Sequence, residues 1–140
     1  MSSVAPADVL ARRRHLTLNG DADGLADLFA PDAVIEAPFA PPGAPSSLEG
    51  REAIREYSRH VMASPLRLED YEVAELYQAQ DPEVVIAEMR AKATVTTTGR
   101  SITATSIQVL RIREGHIVLF RDFADPRFLE DVIGESRPAS

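Results

Sequence analysis

Cysteine is absent from this chain, which excludes a disulfide framework and a thiolate metal site and suits a reducing compartment. Long apolar runs are absent too: none approaches the about 20 residues that a membrane helix needs. The N-terminus also lacks the apolar core of a signal peptide. Together these absences predict a soluble cytoplasmic protein with no membrane partner. Positive charge is in the minority, with 15 Lys and Arg against 22 Asp and Glu for a net charge of -7. Nucleic acid and anionic lipid are therefore poor partners, and the short run Arg12-Arg13-Arg14 does not reverse the balance. There is no Ser-His-Asp order, phosphate-binding loop, dinucleotide fingerprint or His–carboxylate metal spacing. His15, His60 and His116 read as solvated residues, and the chain is expected to work with no cofactor and no metal.

What is present points to the last stretch, Gly115 to Pro126. Period-two alternation there puts Val118, Phe120, Asp122 and Ala124 on one face and Ile117, Leu119, Arg121 and Phe123 on the other. Both faces are mostly apolar, so a charged residue must sit against buried surface. A buried carboxylate finds a partner or keeps its proton. Asp122 is thus either an ion-pair partner of a nearby arginine or a candidate acid–base group, and the strand alone leaves both open.

The length of 140 residues and the hydrophobic content of 44% fit one domain, residues 1–140, ordered from about 7 to 134. The first few residues and Ser136 to Ser140 read as frayed. Helices are predicted over 7–18, ending at Asn19-Gly20, over 22–29, ending before Pro31, and over 51–63, ending at Pro65. A short strand is predicted over 33–37. Pro38, Pro41, Pro42 and Pro45 with Gly43 make residues 38–47 a loop, placed as a lid or rim. Strands follow over 67–78, 83–96, 101–113 and 116–124, with turns at Gly99-Arg100 and Glu114-Gly115 and Asp125-Pro126 as terminator. Helices followed by consecutive strands give an α+β fold, a curved antiparallel sheet wrapped around three N-terminal helices.

Asn19-Gly20-Asp21 with Leu25, Leu28-Phe29-Ala30-Pro31-Asp32-Ala33-Val34, Gly50-Arg51-Glu52-Ala53-Ile54, and Arg111 to Ile117 through Asp125-Pro126 together resemble the nuclear transport factor 2-like superfamily, closest to its SnoaL-like branch. The resemblance covers nearly the whole chain. It implies a cone-shaped, cystatin-like α+β barrel over a deep apolar pocket, and a homodimer formed through the outer sheet face. The superfamily spans ketosteroid isomerases, limonene-epoxide hydrolases, polyketide cyclases, phenazine-pathway proteins and non-catalytic members, so fold alone does not choose. Against the epoxide hydrolase pattern, the last-strand acid is kept as Asp122, but the Arg-x-Asp positions fall on Met89 and Ala91. The water-holding tyrosine and asparagine fall on Ile35 and Ala37. Against the ketosteroid isomerase pattern, the base before the first-strand proline is replaced by Ala37, and the oxyanion-hole positions map near Arg13 and Gln108. Polyketide cyclase and phenazine-type members keep an acid on the last strand, the place of Asp122, and this pattern fits best.

With Asp122 inward, Ala87, Met89, Ala91 and Ala93 share its face with Ala104, Ser106, Gln108 and Leu110. Small side chains there predict a ligand cavity. Phe39, Phe120, Tyr57 and Val61 are expected to wall it for an apolar, polycyclic or aromatic ligand. Asp122 is the expected proton-transfer group. Gln108 or Ser106 is the expected oxyanion donor. Arg13 is expected either to stabilise an enolate or to lie on a surface face of the first helix. The resulting expectation is a cofactor-independent enzyme of secondary metabolism that cyclises or isomerises a polyketide-like carbonyl substrate. The alternatives are a small-molecule binding protein and an epoxide hydrolase with a rebuilt site.

Overall fold

Pro6 fixes the first helical position and lacks the N–H that a helix start leaves unpaired, so α1 runs Pro6–Leu18. It stops at Asn19-Gly20, where Gly20 takes φ 68°. The computed structural model that shows this describes residues 5–125 and 127. The residues expected to fray at the termini, the span 128–134 expected to be ordered and the expected terminator Pro126 lie outside the described residues. α2, Ala22–Asp27, is capped by Asp21, whose side chain accepts the Gly24 N–H at 2.8 Å. It is shorter than predicted because Phe29 is claimed by the sheet. α3 spans Arg51–Met62, and Arg51 ties its first turn to the sheet by donating from Nε and Nη2 to the Phe29 carbonyl at 2.8 and 2.7 Å.

The strands are β1 (Phe29–Glu36), β2 (Ser47–Glu49), β3 (Leu66–Gln78), β4 (Val84–Val95), β5 (Arg100–Arg113) and β6 (His116–Ala124). They form one six-stranded sheet in the order β2-β1-β6-β5-β4-β3. The expected α+β class, with a curved sheet and three helices, is what the chain adopts. Two details differ from expectation. β1 runs parallel to β6, because α3 and four strands separate them in the chain and no hairpin dictates their direction. β2 was not anticipated: three residues at the end of the proline loop pair with Val34 to Glu36, too short a segment to show periodicity. The edge strands β2 and β3 do not pair with each other, so the sheet is an open cone rather than a closed barrel.

Curvature comes from irregularities that bend individual strands. The β1–β6 register slips between Phe29 and Val34, where Pro31, unable to donate to a ladder, is accommodated. β3 slips twice against β4, at Leu68/Asp70 and at Val73/Glu75, and β5 slips against β6 at Arg111/Ile112. The core gathers Val9, Leu10 and Leu16 of α1 and Ile54 of α3 with Val85, Ala87, Met89, Leu110, Ile117 and Phe120 of the sheet. α1 lies against β3 and meets β4 where Arg13 reaches Met89. The described residues include no helix long and apolar enough to cross a membrane.

Candidate functional site

Below α1 and α3 the inner sheet face opens into a cavity of about 670 Å³. Its wall draws on the last turn of α1, the cavity-facing side of α3 (Ile54, Tyr57, Ser58, Val61), the start of β3 (Leu66, Leu68, Tyr71), and Phe120 and Asp122 of β6. A second chamber of about 340 Å³ lies under the proline loop, and Asp122, Tyr57, Val61, Ile35 and Leu48 border both. Asp122 therefore stands at the partition between two apolar spaces.

Asp122 faces inward because β6 alternates strictly there. Its cross-strand partner is Gln108, which is 2% exposed. Gln108 Nε2 donates to Tyr71 Oη at 2.7 Å, while Gln108 Oε1 and Asp122 Oδ1 are both buried with no donor. Burial accordingly pushes the Asp122 carboxyl above its ordinary value, against the downward pull of the Arg13 guanidinium and then of the Gln108 amide. Among the described residues Asp122 forms no ion pair; its neighbour Arg121 instead lies 3.6 Å from Glu36. The hydroxyl of Tyr57 is also raised, by burial and by the negative charge of Asp122, which puts Tyr57 within electrostatic reach of the acid.

Arg13 is not on a surface face. It sits on the buried seam of α1 with Val9, Leu10 and Leu16, and it is 2% exposed. The Tyr71 ring centroid lies 5.0 Å from its guanidinium carbon and the Phe120 centroid 5.1 Å. Nη2 reaches only Met89 Sδ, at 3.6 Å.

Of the expected lining residues, Arg13, Tyr57, Val61, Phe120 and Asp122 meet at the cavity, and Gln108 backs it through Tyr71. Four do not line it. Phe39 is 56% exposed and packs edge-on against Phe123, ring centroids 5.7 Å apart. Phe123 alternates with Asp122 and so faces outward, which carries Phe39 to the outer sheet face. Met89 is 1% exposed, packed beneath α1 rather than open to ligand. Ala91 and Ser106 share the inward face but reach neither chamber. The small residues Ala87, Ala91, Ala93, Ala104 and Ser106 line neither chamber, and the empty volume lies toward α3 and the start of β3. Tyr71 was missed. Leu66 and Leu68 face inward at even numbers, then the first slip of β3 moves the inward positions to Tyr71 and Val73, and the second returns them to Leu76. Reading that change of parity was the signal that would have found it. Among the described residues no three His, Asp or Glu side chains cluster as metal ligands.

The sequence profile of the SnoaL-like domain matches residues 12–120. An uncharacterized PhzA/B-like protein of Pseudomonas aeruginosa is 38% identical over 128 residues, 91% of this chain and 89% of the relative. The crystal structure of a candidate isomerase from Bacillus subtilis matches with a TM-score of 0.85 at 29% identity, covering 93% of each chain. The epoxide hydrolase/cyclase-like enzyme SalBIII, which takes part in pyran ring formation in polyether salinomycin, matches with a TM-score of 0.70. It is 24% identical over 87% of this chain and 92% of that one, a likeness of fold. The chain belongs to the SnoaL-like domain family, within the nuclear transport factor 2-like superfamily.

Proposed function

We propose that this protein is a cofactor-independent enzyme of secondary metabolism that cyclises or isomerises an apolar, polyketide-like carbonyl substrate, with Asp122 as the proton-transfer group. The observation that carries this reading is the buried Asp122 carboxyl, with Oδ1 unpartnered, bordering an apolar cavity of about 670 Å³. In its ionised form Asp122 takes a proton from the carbon beside a carbonyl; the C–H electron pair becomes the new C=C bond and the carbonyl π pair moves onto oxygen as an enolate. Arg13 faces the developing charge. In a β,γ-unsaturated substrate the enolate is a dienolate, and Asp122 returns the proton to its γ carbon, an isomerisation. Alternatively the enolate attacks a second carbonyl, and Asp122 returns its proton to the new alkoxide, a cyclisation. The cyclase-like and isomerase-like descriptions of structural relatives support the same class of chemistry. The proposal includes a cytoplasmic homodimer joined through the outer sheet face, where Ile107 is 41% exposed and Phe123 and Phe39 lie alongside.

A test that needs no native substrate is deuterium exchange at the α-carbons of apolar ketones such as 2-tetralone, followed by NMR in heavy water. The protein should accelerate exchange, and Asp122→Asn should slow it by at least about 100-fold. Equal rates for both proteins, or none above buffer, would remove the catalytic role. The second reading, a non-catalytic binding protein, draws on Asp122 being the lone acid bordering both chambers; it predicts ligand binding without exchange. Labelled water oxygen appearing in a diol product would assign epoxide opening instead.

A further inference from the structure

Among the described residues no ion pair balances the charge of Arg13. Its guanidinium cannot shed its proton, yet the residue is 2% exposed and among the described residues forms no ion pair. Nε and Nη1 are buried without an acceptor, and the thioether of Met89 is a weak partner for Nη2. Among the described residues, Asp122 is the carboxyl that faces Arg13, and burial favours the neutral form of that carboxyl. Glu69, the other acid on the cavity wall, is exposed and lies 3.9 Å from Arg67. Burying a cation in this way is costly unless a partner arrives. The Tyr71 and Phe120 rings compensate part of the charge. They leave Nε and Nη1 without an acceptor on a residue that lines the cavity, and a guanidinium suits the oxygens of a planar oxyanion.

We propose that the ligand of this cavity is a monoanion, an apolar flat body carrying one carboxylate or stabilised enolate that seats on Arg13. The proposal deepens the catalytic reading above and rests on its cavity, but not on turnover.

Calorimetric titration of the full chain at pH 7 with 2-naphthoate and its neutral isostere 2-naphthamide tests this. The carboxylate should bind at least about tenfold more tightly. Arg13→Met, which keeps an apolar stem, should erase the ratio. Arg13→Lys should retain part of it. Equal binding of the two probes by the unmodified protein, no binding of either, or a ratio that persists in folded Arg13→Met would each overturn the proposal. The first two outcomes need no variant to fold. The anion of 2-hydroxy-1,4-naphthoquinone, a stabilised enolate, is a third probe; binding tighter than that of 2-naphthoate favours an enolate ligand and weaker binding a carboxylate. If anion preference survives while Asp122→Asn leaves ketone exchange unchanged, the catalytic reading fails and the anion site stands.

Discussion

Asp122 costs the fold something whenever it ionises, because its buried surroundings favour the neutral carboxyl. The groups facing it are Arg13 from α1, Tyr57 from α3 and Gln108 from β5, and burial outweighs the downward pull of Arg13 and Gln108. Its folded value is raised above the ordinary 3.8, so between the two values the folded state binds more protons than the unfolded state. Stability from this group is then fully present below about 3.8 and is lost as pH rises through the folded value. Asp122→Asn, which never ionises, escapes that loss. In urea denaturation across pH, the variant should gain stability relative to the unmodified protein as pH rises from 4 to neutrality, and the gain should level off above the folded value. A difference that does not vary with pH would show that Asp122 ionises freely in the fold. Arg13 was placed by the sequence only as a choice between enolate partner and surface residue. The spacing of Val9, Arg13 and Leu16 puts it on the buried seam of α1, and burial leaves its charge aimed at the ligand space.

At the level of elements, α3 decides the shape of the cavity, since Ile54, Tyr57, Ser58 and Val61 all lie on its inner face. Its amphipathic spacing was legible because a helix that covers a sheet must bury one stripe. The direction in which it leaves β2 is set by Gly50, which takes φ 91° and ψ 151°, a region open almost only to glycine. Gly50 N–H donates to the Ala33 carbonyl at 2.8 Å, and its own carbonyl accepts from Ile54 N–H at 3.1 Å, so this backbone is held at both ends. A Cβ would meet nothing nearer than the Pro31 carbonyl oxygen at 3.8 Å, so the penalty of Gly50→Ala is conformational rather than steric crowding. Thermal and urea unfolding should show a loss of about 1–3 kcal/mol, together with a change in probe binding as α3 shifts. β3 shows the opposite case. Its inward residues change parity twice, so period-two reading assigns Tyr71 to the wrong face until the two slips are seen.

For the whole molecule, an open sheet leaves two surfaces to account for. The inner face is filled by α1 at one end and hollow under α3 at the other. The outer face carries Ile107, Phe123 and Phe39 in a row that monomeric solubility does not favour. If this face joins two copies, light scattering should give about twice the 15.3 kDa chain mass, and Ile107→Glu should return the protein to a monomer with its probe binding intact. A monomer mass for the unmodified protein would remove the dimer from the proposal.

The order of the elements apart from β2 and the α+β class were determined by sequence alone, because helix stops, turns and strand alternation are local properties of neighbouring residues; both faces of the last strand are mostly apolar, so the inward direction of Asp122 rested on the family resemblance. Phe39, Met89, Ala91 and Ser106 show where local reading ends. Whether an inward residue borders a cavity or packs under a helix depends on where α1 sits, and whether an aromatic loop residue turns in or out depends on what the far side of the sheet offers. Those are contacts between segments remote in sequence. The tertiary structure alone brought Arg13, Tyr71, Gln108 and Asp122 around one space, and it alone left a buried cation without a partner of its own.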